Sequence, residues 1–293
     1  MDLKGIYVPH ITPFKRDGSV DYEALKICVD FWVESRLAGL VTLGSNGEFP
    51  YLNGEERRKV VETVIDQVNS RVKVIVGTGA PSTRETILMS KEAFDLGADA
   101  IIVVTPYYFK VSDDELFHHY SEVLSKVDAP IILYDVPKFT GYSMGVSVVE
   151  RLADEFSNVA GIKDSTGSML HISELIRRVG NRISVLAGTA SMMLPTLMLG
   201  GKGAVVAVAN FIPEISVKLY SSFISGDISE ASKLQLIIND IWSSIGRFNQ
   251  IAAVKALTAL RGLPAGLPRK PILPVDEAGR VFLRGLLEKY SVI

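Results

Sequence analysis

Cysteine is nearly absent from this 293-residue chain: the single thiol, Cys28, has no second cysteine with which to form an internal disulfide. No disulfide framework holds the fold. Cys28 also lies in the apolar helical stretch ALKICVDFW, where a thiol packs as a small hydrophobe and a thiol enzyme is not expected. Long apolar runs are missing as well. The longest, Ala204–Ala209, has six residues, against the roughly 20 that a membrane helix requires. Neither sign of charge dominates: 31 Lys and Arg stand against 33 Asp and Glu, mixed along the whole length. That leaves no footprint for nucleic acid or a membrane surface. Histidine is scarce, and His10, His118, His119 and His171 show no HExxH or paired-ligand spacing, so no metal site is expected. The N-terminal segment MDLKGIYVPHITPF has no basic stretch leading into an apolar core, and a cytoplasmic location is the expectation. What remains is an ordinary globular composition, 47% hydrophobic and 22% charged, which excludes disorder and allows one large core.

The apolar residues fall in eight short runs: Gly5–Ile11, Gly39–Leu43, Val72–Val76, Ala100–Val104, Pro130–Tyr134, Val159–Lys163, Ser184–Ala187 and Gly203–Val208. Their last residues are 32, 33, 28, 30, 29, 24 and 21 positions apart, room each time for one helix and two loops. Several are β-branched on successive positions, as parallel strands covered on both faces require. Asn53 with Glu56, Ser82 with Glu85, and Ser112 with Glu115 have capping-box spacing and mark helix starts. Gly97 marks a helix end. The pattern predicts an α/β protein, a (β/α)₈ TIM barrel over residues 1–227, with a C-terminal helical extension over 228–293. The extension reads as helices over 228–250, 251–261 and 276–290 around the loop GLPAGLPRKPILP. An open doubly wound sheet is the rival, but TPFKRDG follows the first run where that fold usually has a Gly-rich dinucleotide turn.

Active sites of such barrels lie at the carboxyl ends of the strands. The residues there are Thr12, the turn Gly44-Ser45-Asn46-Gly47-Glu48, Thr105-Pro106-Tyr107-Tyr108, Tyr134, Lys163, Gly188-Thr189 and Ala209-Asn210. Lys163 stands out because it closes an apolar run, VAGIKDS. Burial disfavours a charged amine, and free amine is the nucleophile that forms a Schiff base with a ketone. A structural pairing with Asp164 or another carboxylate explains the same residue equally well. Tyr134 ends the neighbouring strand, and a phenol there can shuttle a proton, although packing alone also accounts for a strand-end tyrosine. The GSNGE turn offers Ser45, close backbone approach at Gly47, and N–H groups near the following helix for a carboxylate. Glycine in such a loop also serves turn geometry. Ser165 adds a hydroxyl at the rim. No GxxxxGK[ST] loop occurs, and of the glycines that a barrel phosphate site uses only Gly188 is present, so phosphorylated substrates are not expected.

GSNGE, TPYY, YDVPKFTG and GIKDSTG, in that order on those strands, resemble the dihydrodipicolinate synthase / N-acetylneuraminate lyase family over nearly the whole chain. The resemblance implies a class I pyruvate-dependent aldolase on a (β/α)₈ barrel, with Lys163 as the Schiff-base lysine and Tyr134 as the proton shuttle. It implies that Ser45 and Asn46 hold the pyruvyl carboxylate, with Gly47 of the same turn among the substrate-binding residues, and that Ser45 also belongs to the proton relay. Tyr108 looks like the tyrosine that completes this relay in a neighbouring subunit, which implies a homodimer at least and commonly a homotetramer. Val205 matches a position whose backbone faces the lysine, and Thr12 and Ser165 line the same rim. No cofactor is implied beyond the covalent imine, and the partners are small molecules, pyruvate and an aldehyde. The synthase branch has an arginine in YxVPxRTG for the carboxylate of its second substrate; here that position is Phe139. Lys138 beside it is a point charge and not a bidentate fork. The expectation is therefore cleavage of a 2-keto-3-deoxy sugar acid, such as 2-keto-3-deoxygluconate, to pyruvate and glyceraldehyde. The alternatives are 4-hydroxy-tetrahydrodipicolinate synthase, 4-hydroxy-2-oxoglutarate aldolase, and a non-catalytic oxo-acid-binding sensor.

Overall fold

A computed structural model describes residues 1 and 3–293. The strand–helix alternation read from the sequence is present throughout. It runs β1 (Gly5–Pro9), α1 (Tyr22–Glu34), β2 (Gly39–Thr42), α2 (Gly54–Val68), β3 (Lys73–Gly77), α3 (Thr83–Asp95), β4 (Ala100–Val104) and α4 (Asp113–Lys126). It continues with β5 (Ile131–Asp135), α5 (Pro137–Thr140), α6 (Val146–Glu155), β6 (Val159–Asp164), α7 (Met169–Val179), β7 (Ser184–Ala187), α8 (Met193–Met198) and β8 (Gly203–Val205). Helices α9 (Pro213–Ile224), α10 (Ile228–Ser244), α11 (Gln250–Leu260) and α12 (Glu277–Lys289) follow. The eight strands close in sequence order into a barrel, so the fold is the expected TIM barrel with C-terminal helices.

By Cα packing the chain forms two compact units, residues 1–5 with 73–205, and residues 6–72 with 206–293. The first holds strands β3 to β8, each paired parallel with the next. Its strands are buried along almost their whole length, as the β-branched runs require. The backbone closes tightly where β8 begins: a Cβ on Gly203 would overlap the Gly5 carbonyl oxygen, so only glycine fits there. In the second unit β1 pairs parallel with β2, Tyr7 opposite Gly39. Its core includes Trp32, which stacks on the buried His10 ring at 5.3 Å and donates to the Asn210 carbonyl.

The helix starts predicted from spacing are real. Asn53 and Ser112 make full capping boxes with Glu56 and Glu115, and Ser82 accepts from the Glu85 N–H. Gly97 turns the chain after α3 with φ at 103°. Three boundaries differ from expectation by more than one residue. β1 stops at Pro9 and not at Ile11, because the Ile11 N–H donates to the Asn210 side chain. β8 stops at Val205, three residues short of Val208, and Ala207–Asn210 forms a tight 3₁₀ turn closed by the Asn210 amide on the Ala207 carbonyl. The helix expected over 228–250 ends at Ser244, because Asn249 caps the next helix instead, accepting from the Ile251 and Ala252 N–H groups. A capping asparagine needs extended backbone, which a continuous helix cannot supply. Among the described residues no helix is long and apolar enough to cross a membrane.

Candidate active site

β5 and β6 deliver the central pair. Tyr134 lies beside Lys163 in the parallel register. Both side chains are buried, 7% and 4% exposed, and Lys163 Nζ sits 4.0 Å from the centroid of the Tyr134 ring. An amine over the ring face is held electrostatically when it carries charge. The competing explanation, a pairing of Lys163 with Asp164, is not what the structure holds. Neighbouring strand residues point to opposite faces, and the Asp164 carboxylate is engaged elsewhere. It accepts from the Thr166 N–H and hydroxyl at 2.8 and 2.6 Å and lies 2.5 Å from His171 Nδ1.

Around this pair, Ser165 donates its N–H to the Asp135 carbonyl at 2.8 Å, while its buried hydroxyl has no hydrogen-bond partner among the described residues. Gly188 faces it: a Cβ at 188 would collide with the Ser165 oxygen. Val205 ends β8 and is buried. Phe139, in the short α5, is 48% exposed, with Lys138 Nζ 5.6 Å from its ring centroid. Tyr108 is not gathered with Lys163. It is 89% exposed, packs edge-on against the exposed Phe109, and holds φ at 80°, a conformation costing about 1–2 kcal/mol in a residue with a Cβ.

The GSNGE turn belongs to the other unit. Ser45–Gly47 is a 3₁₀ turn in which the Gly47 and Glu48 N–H groups bond to the Gly44 and Ser45 carbonyls. Helix α2 begins at Gly54, capped by Asn53 as expected, so the N–H groups of this turn are its own and not those of the helix's first turn. Thr12 donates its hydroxyl to the Gly47 carbonyl at 2.8 Å and thereby holds the turn. Asn46 is buried and accepts from Gln250 Nε2 at 3.1 Å, while Ser45 is half-buried.

The sequence reading passed over a second buried lysine. Lys255, on α11, is 1% exposed, 2.6 Å from Glu48 Oε1, 2.8 Å from the Leu267 carbonyl, and 4.2 Å above the Phe14 ring. Burial pushes it down to about 8, against the opposing pull of Glu48. The other Glu48 oxygen accepts the Arg269 N–H at 2.8 Å. The signal was legible as a lone lysine inside IAAVKALTAL. Its carboxylate partner distinguishes it from Lys163 and makes it a clamp on the turn, since Glu48 holds the left-handed φ of 56° that ends GSNG.

A barrel of this topology, with a buried lysine and tyrosine side by side at the carboxyl ends of β5 and β6, has them where active sites of this fold lie. Comparison with known proteins gives the family. The chain belongs to the dihydrodipicolinate synthetase family, whose sequence profile matches residues 2–290, and it is a pyruvate-dependent carbon–carbon lyase of class I. It is 39% identical over 291 residues to 4-hydroxy-tetrahydrodipicolinate synthase of Pelobacter propionicus, spanning 99% of this chain and 100% of that protein. The crystal structure of dihydrodipicolinate synthase from Aquifex aeolicus superposes with a TM-score of 0.95 at 34% identity, over 99% of both chains. That of YagE, a prophage protein of the same family from E. coli K12 in complex with pyruvate, gives a TM-score of 0.96 at 34% identity, over 99% of both chains.

Proposed function

We propose that Lys163 condenses with the C2 ketone of pyruvate, losing water to form an imine, and that the enamine derived from it adds to the carbonyl carbon of an aldehyde. Tyr134 gives a proton to the new alkoxide, or takes one from the C4 hydroxyl in the cleavage direction, and water releases the product from the lysine. The observation that carries this reading is the buried Lys163 amine lying 4.0 Å over the ring of its register partner. Ser45, Asn46 and Gly47 are assigned the pyruvyl carboxylate, Ser45 also a place in the proton relay, and Thr12 a supporting role through Gly47. Ser165 supplies an unpaired hydroxyl, and Val205 its backbone. Tyr108 reaches a second copy of the chain, which accounts for its exposure and that of Phe109, and the assembly is a homodimer or homotetramer. No metal or organic cofactor takes part.

For the acceptor, the named relatives support aspartate semialdehyde and 4-hydroxy-tetrahydrodipicolinate synthase activity. Phe139 favours a second reading, cleavage of a 2-keto-3-deoxy sugar acid, since a neutral hydroxyaldehyde needs no cation at that position. Incubation with pyruvate and borohydride should attach one reduced adduct, at Lys163, and labelling elsewhere rejects the assignment. Turnover with aspartate semialdehyde, glyceraldehyde and glyoxylate side by side then separates the synthase from the sugar-acid and 4-hydroxy-2-oxoglutarate aldolases.

A further inference from the structure

Directly behind the lysine–tyrosine pair lies a buried acidic cluster that the chemistry above does not use. Tyr134 and Lys163 occupy one face of β5 and β6, and the next residues, Asp135 and Asp164, are register partners on the opposite face. Both are fully buried. Two carboxylates on adjacent strands away from water cannot both ionise without cost. Asp164 is bonded to Thr166 through one oxygen and to His171 Nδ1, in the first turn of α7, through the other. Asp135 accepts from the Ser143 hydroxyl through one oxygen, and its second oxygen has no hydrogen-bond partner among the described residues.

The hydrogen bonds fix where the protons are. His171 Nε2 lies 3.1 Å from the Met144 carbonyl, which can only accept, so Nε2 carries hydrogen. The 2.5 Å bond from Nδ1 to Asp164 then contains a further proton, given by an imidazolium or by a carboxylic acid. The backbone closes a circuit around it: the Ser168 N–H donates to the Thr166 hydroxyl, and Ser168 Oγ accepts from the His171 N–H. The circuit ties the residue after Lys163 to the start of α7, and through Met144 to the loop that carries Ser143.

We propose that His171, with Asp164 and Asp135, is a positioning device for Lys163 and Tyr134: a proton-holding clamp on the outer face of β5 and β6 that fixes the two strand ends from behind. The proposal rests on the Schiff-base reading above. Electrostatics agree with the geometry. Burial pulls the His171 imidazole down, but its hydrogen bond to Asp164 and the charge of that carboxylate raise it overall. Asp135 is pushed up to about 6 by burial, with the Ser143 bond opposing and Asp164 adding to the rise. The other titratable groups that feel Asp135 are the phenols of Tyr120 on α4 and Tyr142, both raised chiefly by burial and so uncharged near neutrality.

The test uses His171→Leu, His171→Gln and Asp135→Asn in the full chain, each checked for folding by its melting curve. The readouts are the rate of borohydride trapping with pyruvate, kcat and KM, and the pH profile. His171→Leu should slow trapping and kcat about 10–100-fold, the scale of a small misplacement of reacting groups, with KM for pyruvate little changed. His171→Gln, which still donates to Asp164 but cannot ionise, should recover most of that rate. Asp135→Asn, also the second arm should His171→Leu fail to fold, should shift the acid limb of the kcat/KM profile. Wild-type rates and pH profile in all folded variants would overturn the clamp alone. Absence of any lysine adduct in the wild type would overturn the Schiff-base reading, and the clamp with it.

Discussion

Two buried lysines separate by what lies beside them. Lys163 rests on a tyrosine ring, whereas Lys255 faces Glu48 across 2.6 Å. Tyr134→Phe keeps the ring under the amine but removes the proton carrier, so turnover should fall about 10²–10⁴-fold while pyruvate still becomes attached to Lys163 on borohydride reduction. Loss of the adduct instead would give the phenol a part in imine formation itself. Lys255→Met strands the Glu48 carboxylate in a dry site, and breaking a buried pair from one side costs about 3–5 kcal/mol. Urea titration should show that loss, and since Glu48 ends the GSNGE turn, KM for pyruvate should rise in parallel. Lys163 was legible in the sequence because a charge at the end of an apolar strand run is conspicuous. Lys255 was passed over because its partner is about two hundred residues away, and pairing at that distance has no sequence periodicity.

Elements were legible wherever local chemistry decides. The Asn53 and Ser112 caps each satisfy helix-start N–H groups with side chains three residues away. Replacement of either by alanine should cost about 1 kcal/mol, visible as a lower denaturation midpoint at an unchanged m-value. Two of the three misjudged element ends fall where a distant group competes for the backbone. The Asn210 side chain takes the Ile11 N–H and donates to the Pro9 and Ala207 carbonyls. It thereby ends β1 early and turns the apolar run after Val205 away from strand geometry. Asn210→Ala leaves these buried groups unpaired, each at about 1–3 kcal/mol, and should destabilise far more than either cap substitution.

For the whole molecule, pH dependence follows from buried histidines. Burial holds His10 and His119 down to about 4. The unfolded chain therefore takes up protons near pH 6.5 that the folded chain refuses, and stability falls as pH drops from about 6.5 to about 4. Asp135, raised to about 6, works the other way: its folded form accepts a proton first, so between about 6 and 4 it gains stability as pH falls. Glu48, likewise raised by burial, opposes the histidines as well, so their share of the slope is read by removing one of them. His119→Gln should flatten that slope in denaturation curves taken from pH 7 to pH 4, and an unchanged slope would mean that His119 is protonated in the folded state. The exposed Tyr108 and Phe109 lead to a second expectation at this scale. The chain should sediment as a dimer or larger, and Tyr108→Ala with Phe109→Ala should shift it toward monomer with loss of turnover.

The sequence by itself determined the barrel, the helix starts, and the lysine and tyrosine at adjacent strand ends. Each of these is written in periodicity, in side chains three or four residues apart, or in a polar residue breaking an apolar run. Only the tertiary structure decided that Asp164 turns away from Lys163 toward His171, that Asp135 shares its buried face, and that Glu48 is held by Lys255. The last two join elements far apart in the chain, and the first crosses a loop from a strand end to the next helix, a spacing of seven that follows no helix or strand period. Their energy comes from excluding water around particular polar atoms, and which atoms lose water is settled only when the strands and helices have packed.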